Sequence, residues 1–173
     1  MKIFINAGHG GNDPGAVSKN GNKEADITRS VSSILARKLI KNGYNVEYFQ
    51  QKTSFTEVSK VENTSNSDLF ISIHCNSAAN ETANGVEVLY YPTSTKGKKF
   101  AQLVQSELVE VTKLRDRGLK ARTDLHVLKH TKAVAILVEL AFLSNATEEK
   151  LLLENPEMFA NAILKGIMKS NLL

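Results

Sequence analysis

Short apolar runs alternate with longer amphipathic segments along this chain. Runs too short for helices, rich in β-branched and aromatic residues, predict strands at 2–7, 44–49, 69–74, 85–91 and 134–138. The run at 85–91 alternates apolar and polar positions, whereas those at 2–7, 69–74 and 134–138 are almost continuously apolar and indicate buried strands.

Helices are predicted between these strands from apolar residues three or four positions apart. The first has Glu24 in its opening turn and ends at Asn42-Gly43. Its apolar face consists of Ile27, Val31, Ile34, Leu35 and Leu39. A second helix follows a cap at Thr93 or Ser94, and a last helix begins at Pro156.

Other segments carry weaker patterns. Residues 54–66 are only weakly helical, and a helical turn is predicted from Asn145 to Leu153. Residues 114–123 are rich in basic side chains and contain Gly118, so we predict an exposed loop there. The alternation of strands and helices predicts one α/β domain over residues 1–173, with three layers (α/β/α) and a twisted, mostly parallel but mixed sheet of about six strands.

Composition excludes several classes of protein. Hydrophobic residues make up 42% and charged residues 23% of 173 residues, which is typical of one globular domain. The longest apolar runs are far below the roughly 20 residues that cross a bilayer. The apolar run after Lys2 is too short for a secretory signal, so we expect no secretion signal in this chain.

The net charge and the single cysteine limit which partners and which cysteine chemistry are expected. A net charge of +4 suits an anionic partner, either nucleic acid or an acidic polymer such as a bacterial wall. Tryptophan is absent and no arginine-rich run occurs, so we expect no nucleic acid as partner. The short apolar runs give no reason to expect a membrane partner either. Cys75 is the only cysteine, so the chain cannot form an internal disulfide. It could be a ligand or nucleophile beside His74, but a small buried residue is the favoured interpretation.

Ionisable side chains follow three of the predicted strands. His9 follows the first strand, His74 ends the third and Glu139 ends the fifth, so parallel strands would bring them to one edge of the sheet. Glu24 begins the helix that starts at the same edge. Two histidines and a carboxylate are the ligands of a catalytic zinc whose fourth position holds water. Glu139 would then be the general base.

Each of these residues also has a structural explanation. Glu24 could simply compensate the helix dipole, and a histidine at a strand end is more often structural than a ligand. Glu139 is harder to explain in this way, because burying an unpaired carboxylate is costly. His126 and His130 lie in polar surroundings and are interpreted as structural. The glycine-rich loop at 8–15 lacks the spacing and the lysine of a phosphate-binding loop.

Five motifs occur in the order of a known family. They are Gly8-His9-Gly10-Gly11 with Asp13-Pro14-Gly15-Ala16, Asn20-Gly21 before Glu24, Asp68 to Asn76, Arg117-Gly118-Leu119-Lys120, and Leu137 to Asn145. The combination resembles the zinc-dependent N-acetylmuramoyl-L-alanine amidases of the amidase-3 type, which cleave peptidoglycan between the lactyl group of N-acetylmuramic acid and the first alanine of the stem peptide.

The resemblance implies one zinc ion per chain, bound by His9, Glu24 and His74, with zinc-bound water as the nucleophile and Glu139 as the catalytic residue. We expect Asn76, Arg117 and Lys120 to contact the substrate. Peptidoglycan would be the partner, the site of action would be the cell wall, and a separate wall-binding domain could lie outside this chain. Since no secretion signal is expected, we expect either release of the phage-lysin type or a piece of a longer protein.

Two other functions stay open from the sequence. A zinc carboxypeptidase or endopeptidase acting on the stem peptide would use the same residues. A non-catalytic wall-binding module would keep the fold without turnover, although the full set of ligands and the acid argues against this.

Overall fold

A computed structural model describes residues 1–52 and 55–170 of the chain. Six strands and six helices occur in these residues, in the order β1 (Lys2–Ala7), α1 (Glu24–Lys41), β2 (Asn45–Gln50), α2 (Phe55–Ser65), β3 (Leu69–Asn76), β4 (Val86–Tyr90), α3 (Thr95–Thr112), β5 (Asp116–Ala121), α4 (His126–His130), β6 (Val134–Phe142), α5 (Ala146–Glu154) and α6 (Pro156–Lys169). The weakly helical prediction for 54–66 is realised as α2, and position 54 lies outside the described residues.

The strands form one mixed sheet in the order β2-β1-β3-β6-β4-β5. All neighbouring pairs are parallel except β4 and β6, which are antiparallel. The predicted fold class is therefore confirmed. Because β1, β3 and β6 are parallel neighbours, their carboxyl ends meet at one edge of the sheet, where open α/β proteins bind ligands.

Helices cover both faces of the sheet. The larger core joins one face to α1, α3 and α6 and contains fully buried residues such as Ile5, Leu35 and Phe159. The smaller core joins the other face to α2 and α4. Strand residues alternate between the two cores, so Phe4 and Phe70 stack in the smaller one. None of the helices in the described ranges is long and apolar enough to span a membrane.

The prediction of a loop at 114–123 is wrong, because Asp116–Ala121 forms edge strand β5, parallel to β4. Gly118 adopts φ +74°, and the register with β4 shifts between Val86 and Val88. A short edge strand with basic side chains and an irregular register is a common way to prevent sheets from pairing edge to edge. These same features hide the strand from a pattern of alternating hydrophobicity.

The predicted helix ends agree with the structure. The Ser94 side chain accepts a hydrogen bond from the Gly97 amide at 3.0 Å and caps α3. Asn145 accepts from the amides of Thr147 and Glu148 and caps α5. Pro156 occupies the first turn of α6, where its missing N–H costs no helical hydrogen bond.

Candidate metal centre and active site

His9 lies in the loop after β1 with a backbone conformation unusual for a non-glycine residue, φ +62°. Its carbonyl accepts a hydrogen bond from Gln50 Nε2 at 2.5 Å, and its Nδ1 lies 2.8 Å from Asp13 Oδ2. The amide of Gly8, just before it, donates to the Ile73 carbonyl at 2.9 Å. These contacts fix the loop to β2 and β3 and aim Nε2 of His9 toward α1.

Glu24 is the first residue of α1, and its side chain is buried. Its Oε2 accepts a hydrogen bond from the Ala16 amide, and its Oε1 accepts one from the Cys75 amide, both at 2.9 Å. Both oxygens are thus held by the protein. The carboxylate does more than compensate a helix dipole, because it bridges the loop after β1 and the end of β3.

His74 lies near the carboxyl end of β3 and is also almost fully buried. Its Nδ1 lies 3.0 Å from Glu24 Oε1, and its Nε2 lies 3.1 Å from Ser72 Oγ. The rings of His9 and His74 meet nearly at right angles, with 5.0 Å between their centroids. The structure therefore brings both histidines and Glu24 together, as the sequence predicted.

The three side chains offer one ligand atom each, and these atoms all lie within 4.8 Å of one another. Glu24 Oε1 is 3.3 Å from His9 Nε2 and 3.0 Å from His74 Nδ1. Ligand atoms that share one tetrahedral zinc ion at about 2.0–2.1 Å are about 3.3 Å apart. Both the donor types and their spacing fit a zinc ion.

The electrostatics of the protein without metal are consistent with this arrangement. Burial alone lowers the pKa of His9, but hydrogen bonds and charges from Glu24 and Asp13 outweigh it and raise this pKa to about 9. Burial also opposes ionisation of Glu24, yet its contacts with His74 and His9 keep the pKa of this carboxyl well below its usual range. Glu24 is therefore ionised between the two imidazole rings, and carboxylate and imidazole are donors that zinc accepts.

Glu139 lies beside this cluster. It is in register with His74 on the adjacent parallel strand, so both side chains leave the same face of the sheet. Its Oε2 is buried and has no hydrogen-bond partner among residues 1–52 and 55–170. Burial, together with the negative charges of Glu24 and Glu87, raises its pKa to about 8. A carboxyl with these properties can hold a proton near neutral pH and release it.

Sequence reasoning missed Glu87, which connects the predicted substrate-binding residues. Its Oε1 accepts a hydrogen bond from Asn76 Nδ2, and its Oε2 accepts one from Arg117 Nε, both at 2.8 Å. The Arg117 guanidinium also lies 4.8 Å from the ring centre of Phe142. Lys120 Nζ donates to the Arg117 carbonyl at 2.7 Å. Asn76 on β3 and Arg117 on β5 are therefore joined through Glu87, and Lys120 contacts the Arg117 backbone.

Three other residues considered from the sequence lie outside this centre. Cys75 is buried as expected, and burial raises the pKa of its thiol well above the usual value. His126 and His130 are neighbours on α4, with ring centroids 4.3 Å apart. Neither belongs to the metal-ligand group found in the described part of the chain. The fold and the site together are typical of a metal-dependent hydrolase.

Comparisons with known proteins agree with this class. The sequence profile of the N-acetylmuramoyl-L-alanine amidase family, amidase-3 type, matches residues 3–169. The chain therefore belongs to this family, and the predicted enzyme class, a hydrolase of the peptidoglycan amide bond, is confirmed.

Individual relatives cover nearly the whole chain. It is 32% identical to the N-acetylmuramoyl-L-alanine amidase CwlM of Bacillus licheniformis over 96% of this chain and 65% of CwlM. It is 34% identical to YqiI of Bacillus subtilis (strain 168), over 95% of this chain and 82% of that protein. The crystal structure of an N-acetylmuramoyl-L-alanine amidase from Clostridium difficile 630 is similar at a TM-score of 0.90 and 33% identity, covering 97% of this chain and 95% of that one.

Proposed function

We propose that residues 1–173 form the catalytic domain of a zinc-dependent N-acetylmuramoyl-L-alanine amidase that acts on peptidoglycan at the cell wall. In this proposal His9, Glu24 and His74 hold one zinc ion, and Glu139 is the general base and acid. The observation that carries it is the convergence of His9 Nε2, Glu24 Oε1 and His74 Nδ1 next to the unpaired buried oxygen of Glu139.

A zinc ion, when bound, polarises a carbonyl group and makes water more acidic. Glu139 accepts a proton from the attacking water, since its carboxyl lies on the strand next to His74. It then donates this proton to the departing amine of the stem alanine. Its Oε2 has no hydrogen-bond partner in the described residues, so this oxygen is available to take up the proton and to give it back.

Asn76, Arg117 and Lys120 are proposed to hold the substrate beside Glu139. Glu87 fixes the side chains of Asn76 and Arg117, so their orientation is set before substrate arrives. Lys120 is half-buried and forms no ion pair with a carboxylate in the described residues. Its ammonium group suits a carboxylate of the stem peptide.

The reaction is tested on purified cell walls with the zinc-loaded protein. We expect new amino-terminal alanine in amounts equal to the stem peptide released, and loss of this product after treatment with a chelator. Glu139→Gln should lower kcat by about 10²–10⁴-fold while zinc content stays near one ion per chain. Glu110→Gln, which changes an exposed glutamate on α3, is the matched control and should keep full activity.

The products also test the alternatives. Free D-alanine without new amino-terminal L-alanine would identify a carboxypeptidase. Wild-type activity in Glu139→Gln would exclude Glu139 as the base. A protein that contains zinc, binds walls and releases nothing would contradict the proposed reaction.

A further inference from the structure

The nitrogen of His74 that faces away from the cluster has a defined partner. Nδ1 is on the ligand side, 3.0 Å from Glu24 Oε1, whereas Nε2 is 3.1 Å from Ser72 Oγ. When one nitrogen of a neutral imidazole binds a cation, the other carries the hydrogen and must donate it. For His9 the corresponding partner is the Asp13 carboxylate, and for His74 it is a serine hydroxyl.

Ser72 is itself held by Asn6. Asn6 Nδ2 donates a hydrogen bond to Ser72 Oγ at 2.9 Å, and the two residues are register partners on the parallel strands β1 and β3. Ser72 and His74 are two positions apart on β3, so both side chains are on one face of the sheet. Asn6 and Ser72 are 0% exposed, so water cannot replace either group in this chain of contacts.

Asn6 is difficult to explain by folding alone. It interrupts the buried apolar strand β1, and its Oδ1 is buried without a hydrogen-bond partner in the described residues. A buried unpaired carbonyl is unfavourable, and an apolar residue would suit this position better. Local rules of this kind are usually broken where a site requires it.

We infer that Ser72 and Asn6 are positioning residues that fix the His74 ring with Nδ1 toward the metal, an inference that rests on the proposed zinc site. Asn6 holds the Ser72 oxygen in place, and this oxygen accepts the Nε2 hydrogen of His74. With its hydrogen on Nε2 and donated to Ser72, the neutral ring leaves Nδ1 without a hydrogen and able to bind the metal.

The test measures the zinc affinity of the full chain, not its activity. The metal-free protein is titrated with zinc in competition with a chromogenic chelator. Ser72→Ala should weaken zinc binding about 10–100-fold, the usual effect of removing a partner of a ligating histidine. Asn6→Ala should weaken it in the same direction, and the double variant should lose less than the product of both changes, because the two residues act as one unit.

Ser32→Ala is the matched control. Ser32 is equally buried on α1, and its hydroxyl has no hydrogen-bond partner in the described residues, so zinc affinity should not change. Circular dichroism of each metal-free variant separates loss of affinity from loss of fold. As a second readout, nitrogen-15 spectra of the zinc-loaded wild type should show the His74 hydrogen on Nε2, and a hydrogen on Nδ1 would overturn the inference.

The outcomes separate this inference from the proposed function. A tight wild-type site that Ser72→Ala leaves within twofold overturns only the positioning role. A folded wild-type protein that binds no zinc overturns both. If Ser32→Ala weakens zinc binding as much as Ser72→Ala does, the positioning role is also refuted. The loss of affinity would then be a general effect of removing a buried hydroxyl.

Discussion

Glu87 and Glu139 are directly opposite each other on the antiparallel strands β4 and β6. Two carboxylates in such a pair repel each other, and burial of Glu139 makes the repulsion stronger. Burial, Glu24 and Glu87 together raise the pKa of Glu139 to about 8. Strand β4, which runs antiparallel to β6, therefore places Glu87 opposite Glu139, and the charge of Glu87 helps to raise the pKa of this proposed catalytic acid.

Replacing Glu87 with glutamine should lower the pKa of Glu139, because one of the negative charges that oppose ionisation is removed. Glutamine keeps one acceptor oxygen, so one of the two hydrogen bonds, from Asn76 or from Arg117, is retained. Carbon-13 shifts of the glutamate carboxyl groups against pH, measured on the metal-free protein, give the result. A pKa that is unchanged or higher in Glu87→Gln would contradict the assigned cause.

Glu139→Gln should stabilise the metal-free protein at alkaline pH. Below about pH 4.5 Glu139 is protonated in both the folded and the unfolded state, so it has no effect there. Between about 4.5 and 8 the unfolded chain loses the proton and the folded chain keeps it, so each pH unit favours unfolding by up to about 1.4 kcal/mol.

The glutamine variant lacks this penalty, and we expect it to exceed the wild type by about 2–4 kcal/mol in unfolding free energy at pH 8. Urea unfolding at pH 4 and pH 8 measures the difference. If the variant and the wild type differed equally in unfolding free energy at both pH values, ionisation of Glu139 would not destabilise the folded protein.

Zinc affinity should rise with pH up to about 9. The pKa of His9 in the metal-free protein is raised to about 9, so at pH 7 its ring is protonated and must release that proton to bind zinc. Apparent affinity should increase about tenfold per pH unit from this one group. Calorimetry at pH 7.5 in buffers of different ionisation enthalpy should show about one proton released from His9 per zinc bound. An affinity that is constant between pH 7 and 9 would contradict this.

Gly8→Ala should abolish tight zinc binding. A Cβ atom at Gly8 would lie 2.3–2.6 Å from three ring atoms of His74, so the ring would have to leave its position. Gly43→Ala is the control, because nothing lies within 4 Å of its added Cβ and only its φ of +82° is unfavourable. That variant should lose about 1 kcal/mol of stability and keep its zinc. Zinc retained equally by both variants would show that the ring has room to move.

Lys120→Met should raise KM for stem-peptide substrates several-fold with little change in kcat, because a cation that binds a carboxylate acts before the bond is broken. The effect should shrink at high salt. Lys113→Met, which removes an exposed lysine paired with Glu110, is the control. A fall in kcat at constant KM would instead place Lys120 in the chemical step.

The apolar pattern predicted five of the six strands in the described residues, because strands that are buried in a sheet consist largely of apolar residues. It also indicated the candidate site, since His9, His74 and Glu139 come where such runs end. Edge strand β5 was missed because an edge needs no apolar alternation and Gly118 interrupts it.

Glu87 was missed for a different reason. A charged residue in an alternating strand looks solvent-exposed, and only the register with β6 shows that it faces Glu139. Asn6 and Ser72 did leave a signal, as single polar residues inside apolar runs, but their meaning depends on which strands are neighbours. Strand order depends on pairing between distant segments, so no single segment of the sequence reveals it.

The position of β6 has a consequence for synthesis. Among the strands of the described residues it is the last to be synthesised, yet it lies between β3 and β4, which are made earlier. Until it arrives, both of those strands present an unpaired edge to any other nascent chain, a state prone to aggregation. Glu139 joins the site only after residues 1–138 have been made, so a translation product interrupted before that point would carry the proposed zinc ligands without the proposed catalytic acid.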